Sequence, residues 1–238
     1  MARQALVSSG PSGPGVPREP LAPLGGRCPA AENEAATQWG WAFLGFAGAA
    51  GLLLLDTRVW DSLITGALQS VPSWLLLRGA EAITMFGSVQ FAAALVLWSG
   101  WAAGRRYGAP VAFWILLPFL ASFPLEFLLK TFGPHVRPSG ALPPAGVVWA
   151  WFRVPPTVSF PSGHMLRVTY LVGMLLAWEA ATRTGPRRPW GIWPLCLSGL
   201  GVFGASQIYL GNHWASDVAG GFLLGMSLVV IACPRWRW

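Results

Sequence analysis

Charge is what this sequence has least of. Only 11% of its 238 residues are charged, less than half of the roughly 25% usual for a soluble domain. Against that, 54% are hydrophobic and the mean hydropathy is +0.51. The class this leaves is an integral membrane protein. Cysteine is equally sparse: Cys28, Cys196 and Cys233 show neither metal-ligand nor disulfide spacing, so no metal centre or disulfide framework is expected. No apolar signal-peptide core stands near the start. The formal charge of +7 would suit nucleic acid, but the arginines are scattered between apolar segments and read as topology signals. No nucleic-acid partner is expected, and the bilayer is the first one.

Residues 1–37 are rich in Pro, Gly, Ala and Ser and have too little to bury for a fold. They are read as a disordered cytoplasmic tail, and residues 38–234 as a single all-α domain of six transmembrane helices. The first crossing covers residues 39–55, just long enough at about 1.5 Å per residue. After it, Trp60, Leu63, Ile64, Ala67, Leu68 and Val71 recur at helical spacing, with Asp61, Ser62 and Gln69 on the other face. That pattern predicts an amphipathic helix lying flat on the membrane surface. Further crossings are expected over about residues 82–103, 110–129, 163–181, 190–209 and 214–233. The fifteen tryptophans mostly lie near segment ends, as in interfacial aromatic belts. The proline-rich connection 131–162 is long enough to imply a function. Trp149 and Trp151 within it form part of an interfacial patch that could guide a lipid tail.

Loop charges set the orientation. Arg105 and Arg106, then Arg183, Arg187 and Arg188, then Arg235 and Arg237 alternate with loops carrying fewer arginines. The positive-inside rule then puts both termini in the cytoplasm. The Pro/Ala/Arg-rich, lysine-poor composition is associated with GC-rich genomes, hence with a bacterial plasma membrane.

The rare reactive residues fall in three short stretches. Lys130, the single lysine, opens Lys-Thr-Phe-Gly-Pro-His-Val-Arg-Pro, which holds His135 and Arg137. His164, the second histidine, closes Pro161-Ser162-Gly163-His164. The third, His213, lies four residues before Asp217. On a helix His213 and Asp217 would share one face, where a carboxylate fixes the imidazole tautomer and frees the other nitrogen. All three stretches fall at the outer ends of crossings, so residues distant in sequence meet at one membrane face. One Lys, one Arg, three His and one Asp suit an anion better than a metal, because the cations would repel the ion. Lys130 and Arg137 are donors of the kind phosphate demands. Ser162 is placed as an N-cap before a helix whose backbone N–H groups form an anion nest, and Gly163 permits close approach.

These residues resemble the type 2 phosphatidic acid phosphatase (PAP2) superfamily, which also includes vanadium haloperoxidases. The family pattern is Lys, six residues, Arg-Pro; then Pro-Ser-Gly-His; then Ser-Arg, five residues, His, three residues, Asp. This chain supplies Lys130, Arg137 and Pro138, then Pro161 to His164, then Ser206, His213 and Asp217. The resemblance implies a metal-independent membrane phosphatase, without cofactor, acting on a lipid phosphate or diphosphate. On that reading His213 attacks phosphorus, Asp217 orients it, and His164 protonates the leaving oxygen and then activates water. Lys130, Arg137, Ser162 and the Gly163 N–H hold the phosphate oxygens. Substrates of this kind include phosphatidic acid, phosphatidylglycerol phosphate and undecaprenyl diphosphate. A homo-oligomer is compatible with the sequence.

The chain departs from the pattern where the family has arginine and it has Gln207. Glutamine still donates a hydrogen bond but brings no charge, and a charged hydrogen bond is worth about 1.5–3 kcal/mol. Arg167, one helical turn after His164, is a candidate substitute, the alternative being an arginine snorkelling to the headgroups. Glu126, four before Lys130, is expected to pair with it or line the cavity. His135 is either a substrate contact or a loop residue, and Tyr209 and Trp214 are read as interfacial anchors. The alternative function is a weak or silent relative that binds phosphorylated lipids.

Overall fold

A computed structural model describes residues 29–133, 135–138, 158–182 and 192–233. Among them the chain is helical: α1 Pro29–Leu54, α2 Arg58–Gln69, α3 Trp74–Thr84, a 3-10 turn Met85–Gly87, α4 Val89–Tyr107, α5 Ala109–Phe132, α6 Gly163–Thr182, α7 Trp193–Tyr209 and α8 Ala215–Ala232. The extended pairing among the described residues is one antiparallel bridge between Val136 and Val158.

Local chemistry sets the breaks. Ser73 and Ser88 cap α3 and α4, accepting from Leu76 N–H and Phe91 N–H. Gly108, at φ 96°, ends α4 in a conformation that favours glycine, and Pro110 follows in the first turn of α5. Residues 55–57 turn the chain by 92° between α1 and α2. Helix α1 starts at Pro29, earlier than the expected end of the tail at residue 37. Ala30, Ala31, Glu32, Glu34, Ala35 and Ala36 have high helix propensity, which extends the helix beyond its apolar part. The rest of that tail, the 147–152 patch with Trp149 and Trp151, Cys28 and the arginines at 183, 187, 188, 235 and 237 lie outside the described residues.

Helix α8 is the centre of the bundle, packing on α1, α6 and α5. Leu166 and Tyr170 of α6, Leu224 and Leu228 of α8, and Val96 of α4 form the buried core. Gly221 explains the tight α6–α8 approach, because a Cβ there would overlap the Ser162 carbonyl. The outside is apolar as well: Trp41, Phe43, Trp98, Trp101 and Leu195 are all more than 60% exposed. A hydrocarbon-facing surface has this inside-and-out hydrophobicity.

Helices α5 and α8 are each long and apolar enough to cross a membrane, and the bent pairs α1–α2 and α3–α4 qualify when each is taken as one span. By length and composition alone, the described residues thus hold two to four candidates for the six expected crossings. Helix α7 has 17 residues, and α6 carries His164, Arg167 and Thr169 within its apolar sequence, which lowers its hydropathy. These polar residues turn inward: Arg167 and Thr169 are buried.

Helix α2 is amphipathic as expected, but its polar residues divide: Ser62 and Gln69 are exposed, while Asp61 and Thr65 face the protein. Asp61 and Thr65 are 4% and 6% exposed, whereas Trp60 and Leu63 are 70% and 59% exposed. The helix presents apolar side chains outward and hydrogen-bonding groups to the ends of α7 and α8, because those ends carry the unpaired backbone groups that need partners.

Candidate active site

Four helix ends meet on one side of the bundle: the C-terminal ends of α5 and α7 and the N-terminal ends of α6 and α8. Arg105 and Arg106 lie at the C-terminal end of α4. The 3-10 turn that precedes the other end of α4 packs on His164, for a Cβ at Gly87 would crowd the His164 Cβ at 2.9 Å.

The first stretch delivers Lys130 from the last turn of α5, 9% exposed, with Nζ 2.6 Å from Glu126 Oε1. Of the two roles expected for Glu126, pairing with Lys130 or lining the cavity, the pairing is present. The other Glu126 oxygen accepts from Arg167 Nη1 at 2.9 Å, and Arg167 Nε donates to the Gly87 carbonyl at 3.0 Å. Arg167 is 1% exposed, so the snorkelling alternative is excluded. It is part of a buried Lys130–Glu126–Arg167 triad, charges that each have a partner as burial requires.

Beyond α5 the chain turns so that His135, Val136 and Arg137 lie against both other stretches. Ser159 N–H donates to the His135 carbonyl at 2.9 Å, and Trp214 Nε1 donates to the Val136 carbonyl at 2.7 Å. Arg137 Nε is buried and has no hydrogen-bond partner among the described residues. Burial holds its guanidinium below the usual arginine range, with the Asp217 carboxylate opposing. Such a guanidinium N–H is a donor that an oxyanion can take.

The second stretch runs into α6. Ser162 behaves as the expected N-cap: its hydroxyl accepts from Met165 N–H at 3.3 Å, and its own N–H donates to the Asp217 carbonyl at 3.0 Å. Gly163 leaves room for Glu126, since a Cβ there would overlap the Glu126 carboxylate. His164 follows, within electrostatic reach of His213, Lys130, Arg167 and Glu126.

The third stretch holds His213 in the link 210–214 and Asp217 in the first turn of α8, 3% and 0% exposed. Asp217 Oδ2 accepts from Trp214 N–H at 2.8 Å and stands 3.7 Å from His213 Nδ1. The latter is a loose spacing of the kind that tightens when a substrate is bound. Burial lowers the His213 pKa, with Asp217 opposing, which keeps the ring neutral and nucleophilic. Among the described residues no group of three or more His, Cys, Asp or Glu is arranged to hold a metal ion.

Two expected contributors are directed elsewhere. Gln207 is fully buried and donates Nε2–H to Thr84 Oγ1 at 2.9 Å, while its Oε1 has no partner among the described residues. Ser206 donates back to the Val202 carbonyl of its own helix at 2.8 Å. Tyr209 and Trp214, read as interfacial anchors, make hydrogen bonds within the protein. The Tyr209 hydroxyl accepts from Ser73 N–H at 3.2 Å, and Trp214 holds the Val136 carbonyl. Sequence reasoning missed Asp61 and Gln69. Their only signal was position, eight residues apart on the polar side of an otherwise apolar segment. His135, left between two readings, lies beside Asp217, with Nδ1 3.3 Å from Oδ1.

Residues 126–238 match the family model described as the PAP2 superfamily. No curated protein matches the chain in sequence. Among solved structures, a transmembrane PAP2-type phosphatidylglycerolphosphate phosphatase from Bacillus subtilis is similar with a TM-score of 0.64 and 23% identity. The alignment covers 82% of this chain and 94% of that one, a likeness of fold.

Proposed function

Because residues 126–238 carry the PAP2 superfamily pattern, we propose that the chain is an integral membrane phosphatase. It hydrolyses a lipid phosphate or diphosphate through a phosphohistidine intermediate, without a metal. The observation that carries this reading is the meeting of Lys130, Arg137, Ser162, His164 and His213 around Asp217, from three stretches up to 87 residues apart (217 − 130).

Chemistry follows from that set. Asp217 keeps the proton of His213 on Nδ1, leaving the Nε2 lone pair free to attack phosphorus. As the N–P bond forms, the P–O bond to the lipid breaks, and His164 gives its proton to the departing oxygen. Lys130, Arg137, the Ser162 hydroxyl and the Gly163 N–H take the charge that gathers on the phosphoryl oxygens. In the second half, His164 accepts a proton from water, whose oxygen attacks phosphorus and displaces His213. Inorganic phosphate leaves and both histidines are restored.

Phosphatidylglycerol phosphate, for which the Bacillus protein is named, joins phosphatidic acid and polyprenyl diphosphates as the substrates to compare. In the membrane, six helices cross, with the termini cytoplasmic and the site on the outer face. The position of Arg105 and Arg106 at the end of α4 away from the site supports that orientation.

Phosphate release by the detergent-purified full chain, with EDTA present, tests the proposal on those three lipids. Turnover that survives chelation and disappears in His213→Ala is the expected result. Release that stops on chelation, or that persists in His213→Ala, overturns the mechanism. A folded wild type that releases nothing favours the second reading, a silent lipid-binding relative. Gln207 is the observation behind that reading, since its amide is spent on Thr84.

A further inference from the structure

The link that carries His213 is short and has little of its own to hold it. Helix α7 ends at Tyr209 and α8 begins at Ala215. Between them the backbone closes on itself through Gly211 N–H to the Ile208 carbonyl and Asn212 N–H to the Gln207 carbonyl. Gly211 turns the chain at φ 69°. The last carbonyls of α7 and the first N–H groups of α8 are those a helix leaves unpaired.

Helix α2 supplies partners at both ends. Gln69 donates Nε2–H to the Ile208 and Tyr209 carbonyls, at 3.3 and 3.2 Å. One end back along the same helix, Asp61 Oδ1 accepts from Ser216 N–H at 2.8 Å, and Oδ2 accepts from the Ser216 hydroxyl at 2.7 Å. The Thr57 hydroxyl donates to that same oxygen at 2.6 Å. Asp61 and Ser216 are 4% and 5% exposed. Eight residues of helix separate the two clamping side chains, about 12 Å of rise, so one rigid element bridges the take-off and landing points of the link. Ser216 adjoins Asp217, whose carboxylate faces the His213 ring.

We propose that α2 is a clamp on the nucleophile link, and that Asp61 and Gln69 are positioning residues which hold His213 and Asp217 in register for attack. Neither touches the substrate. The other face of α2, with Trp60 and Leu63, is turned away from the protein into the bilayer, so the seating of α2 in the membrane and the alignment of His213 are one mechanical unit. The proposal rests on the phosphatase reading for its effect on rate, but not for its effect on the link itself.

Full-length wild type, Asp61→Ala, Asp61→Asn and Gln69→Ala are compared in nanodiscs by two readouts. The first is kcat and KM on phosphatidic acid, phosphatidylglycerol phosphate and undecaprenyl diphosphate; the second is amide hydrogen exchange over residues 208–217. Since misplacement by about 1 Å can reduce a rate about a hundredfold, Asp61→Ala is expected to lower kcat about tenfold or more, with KM within about twofold. Exchange at Ser216 and its neighbours should accelerate together with that loss. The asparagine side chain of Asp61→Asn can still accept from Ser216 N–H, and its amide can donate to the two hydroxyls, so this variant recovers most of the rate. Gln69→Ala acts in the same direction from the other end, and serves if Asp61→Ala does not fold. Exchange over 208–217 unchanged from wild type in Asp61→Ala and Gln69→Ala overturns the clamp. So does a lowered melting temperature with kcat intact. If wild type itself releases no phosphate, the phosphatase reading fails alone and exchange still decides the clamp.

Discussion

His135 stands closer to the Asp217 carboxylate than the proposed nucleophile does: Nδ1 of His135 is 3.3 Å from Oδ1, and Nδ1 of His213 is 3.7 Å from Oδ2. The two rings address different oxygens of one buried carboxylate. His135 also has its backbone carbonyl tied to Ser159 and its ring centroid 5.4 Å from that of Phe160. It is therefore fixed where it can stabilise Asp217 or compete with His213 for it.

The pairing predicts a pH dependence. The Asp217 carboxylate beside it raises the His135 pKa, with burial opposing and the Asp61 and Arg58 charges acting in opposite senses. A group whose pKa is raised on folding adds stability that is complete below its unfolded value near 6.5 and is lost as pH rises through the folded one. The melting temperature of wild type should thus fall relative to His135→Gln as pH rises above about 6.5. Parallel curves over that range would show that the ring and Asp217 are not coupled.

Arg167 predicts a stability effect. Its guanidinium joins Glu126 Oε2 at 2.9 Å and the Gly87 carbonyl at 3.0 Å, fully covered by protein. Arg167→Leu leaves Glu126 with one cation where it had two, and breaking a buried pair costs about 3–5 kcal/mol. A large drop in melting temperature is expected. The double variant Arg167→Leu/Glu126→Leu should regain part of it, as both charges then leave together. A single variant as stable as wild type, yet with a raised KM for lipid phosphate, would instead make Arg167 a phosphate ligand.

The helices and the meeting of the three motif stretches were legible in the sequence because apolar periodicity and the scarcity of charge mark both. Ser162 is a case in point: a serine before Gly-His and an apolar run reads as an N-cap, and its hydroxyl takes Met165 N–H as one should. The facing of α2 was not legible. Amphipathicity gives two faces but not which of them meets water, lipid or protein, and Asp61 is buried by Ser216, 155 residues away. Gln207 was misleading for a similar reason. Motif spacing places a backbone position, whereas Thr84 on another helix decides where its amide points.

Gln207→Arg asks whether the missing charge limits the enzyme. A guanidinium at this position could keep a donor on Thr84 Oγ1 and direct a second toward the phosphate. With a charged hydrogen bond worth about 1.5–3 kcal/mol, turnover should rise about tenfold or more. An unchanged or lower kcat in a folded variant would mean that the site is already complete without that arginine.

Gly163→Ala is the sharpest steric test. The Glu126 carboxylate lies against the Gly163 Cα, so that an added Cβ would overlap it. The same carboxylate holds Lys130 at 2.6 Å and Arg167 at 2.9 Å. Pro161 and Ser162 are fully buried on one side, and the Ser162 N–H is tied to the Asp217 carbonyl, so the α6 backbone cannot retreat freely. The methyl must push Glu126 away and carry Lys130 with it, displacing a cation from the phosphate position. Because alignment errors of about 1 Å weigh about a hundredfold on rate, phosphate release should fall about a hundredfold or more. Gly221→Ala, whose Cβ would overlap the Ser162 carbonyl, should instead reduce stability through the α6–α8 contact. Gly163→Ala with near-normal turnover would mean that Lys130 does not need Glu126 to hold it, and would remove the triad from the proposed mechanism.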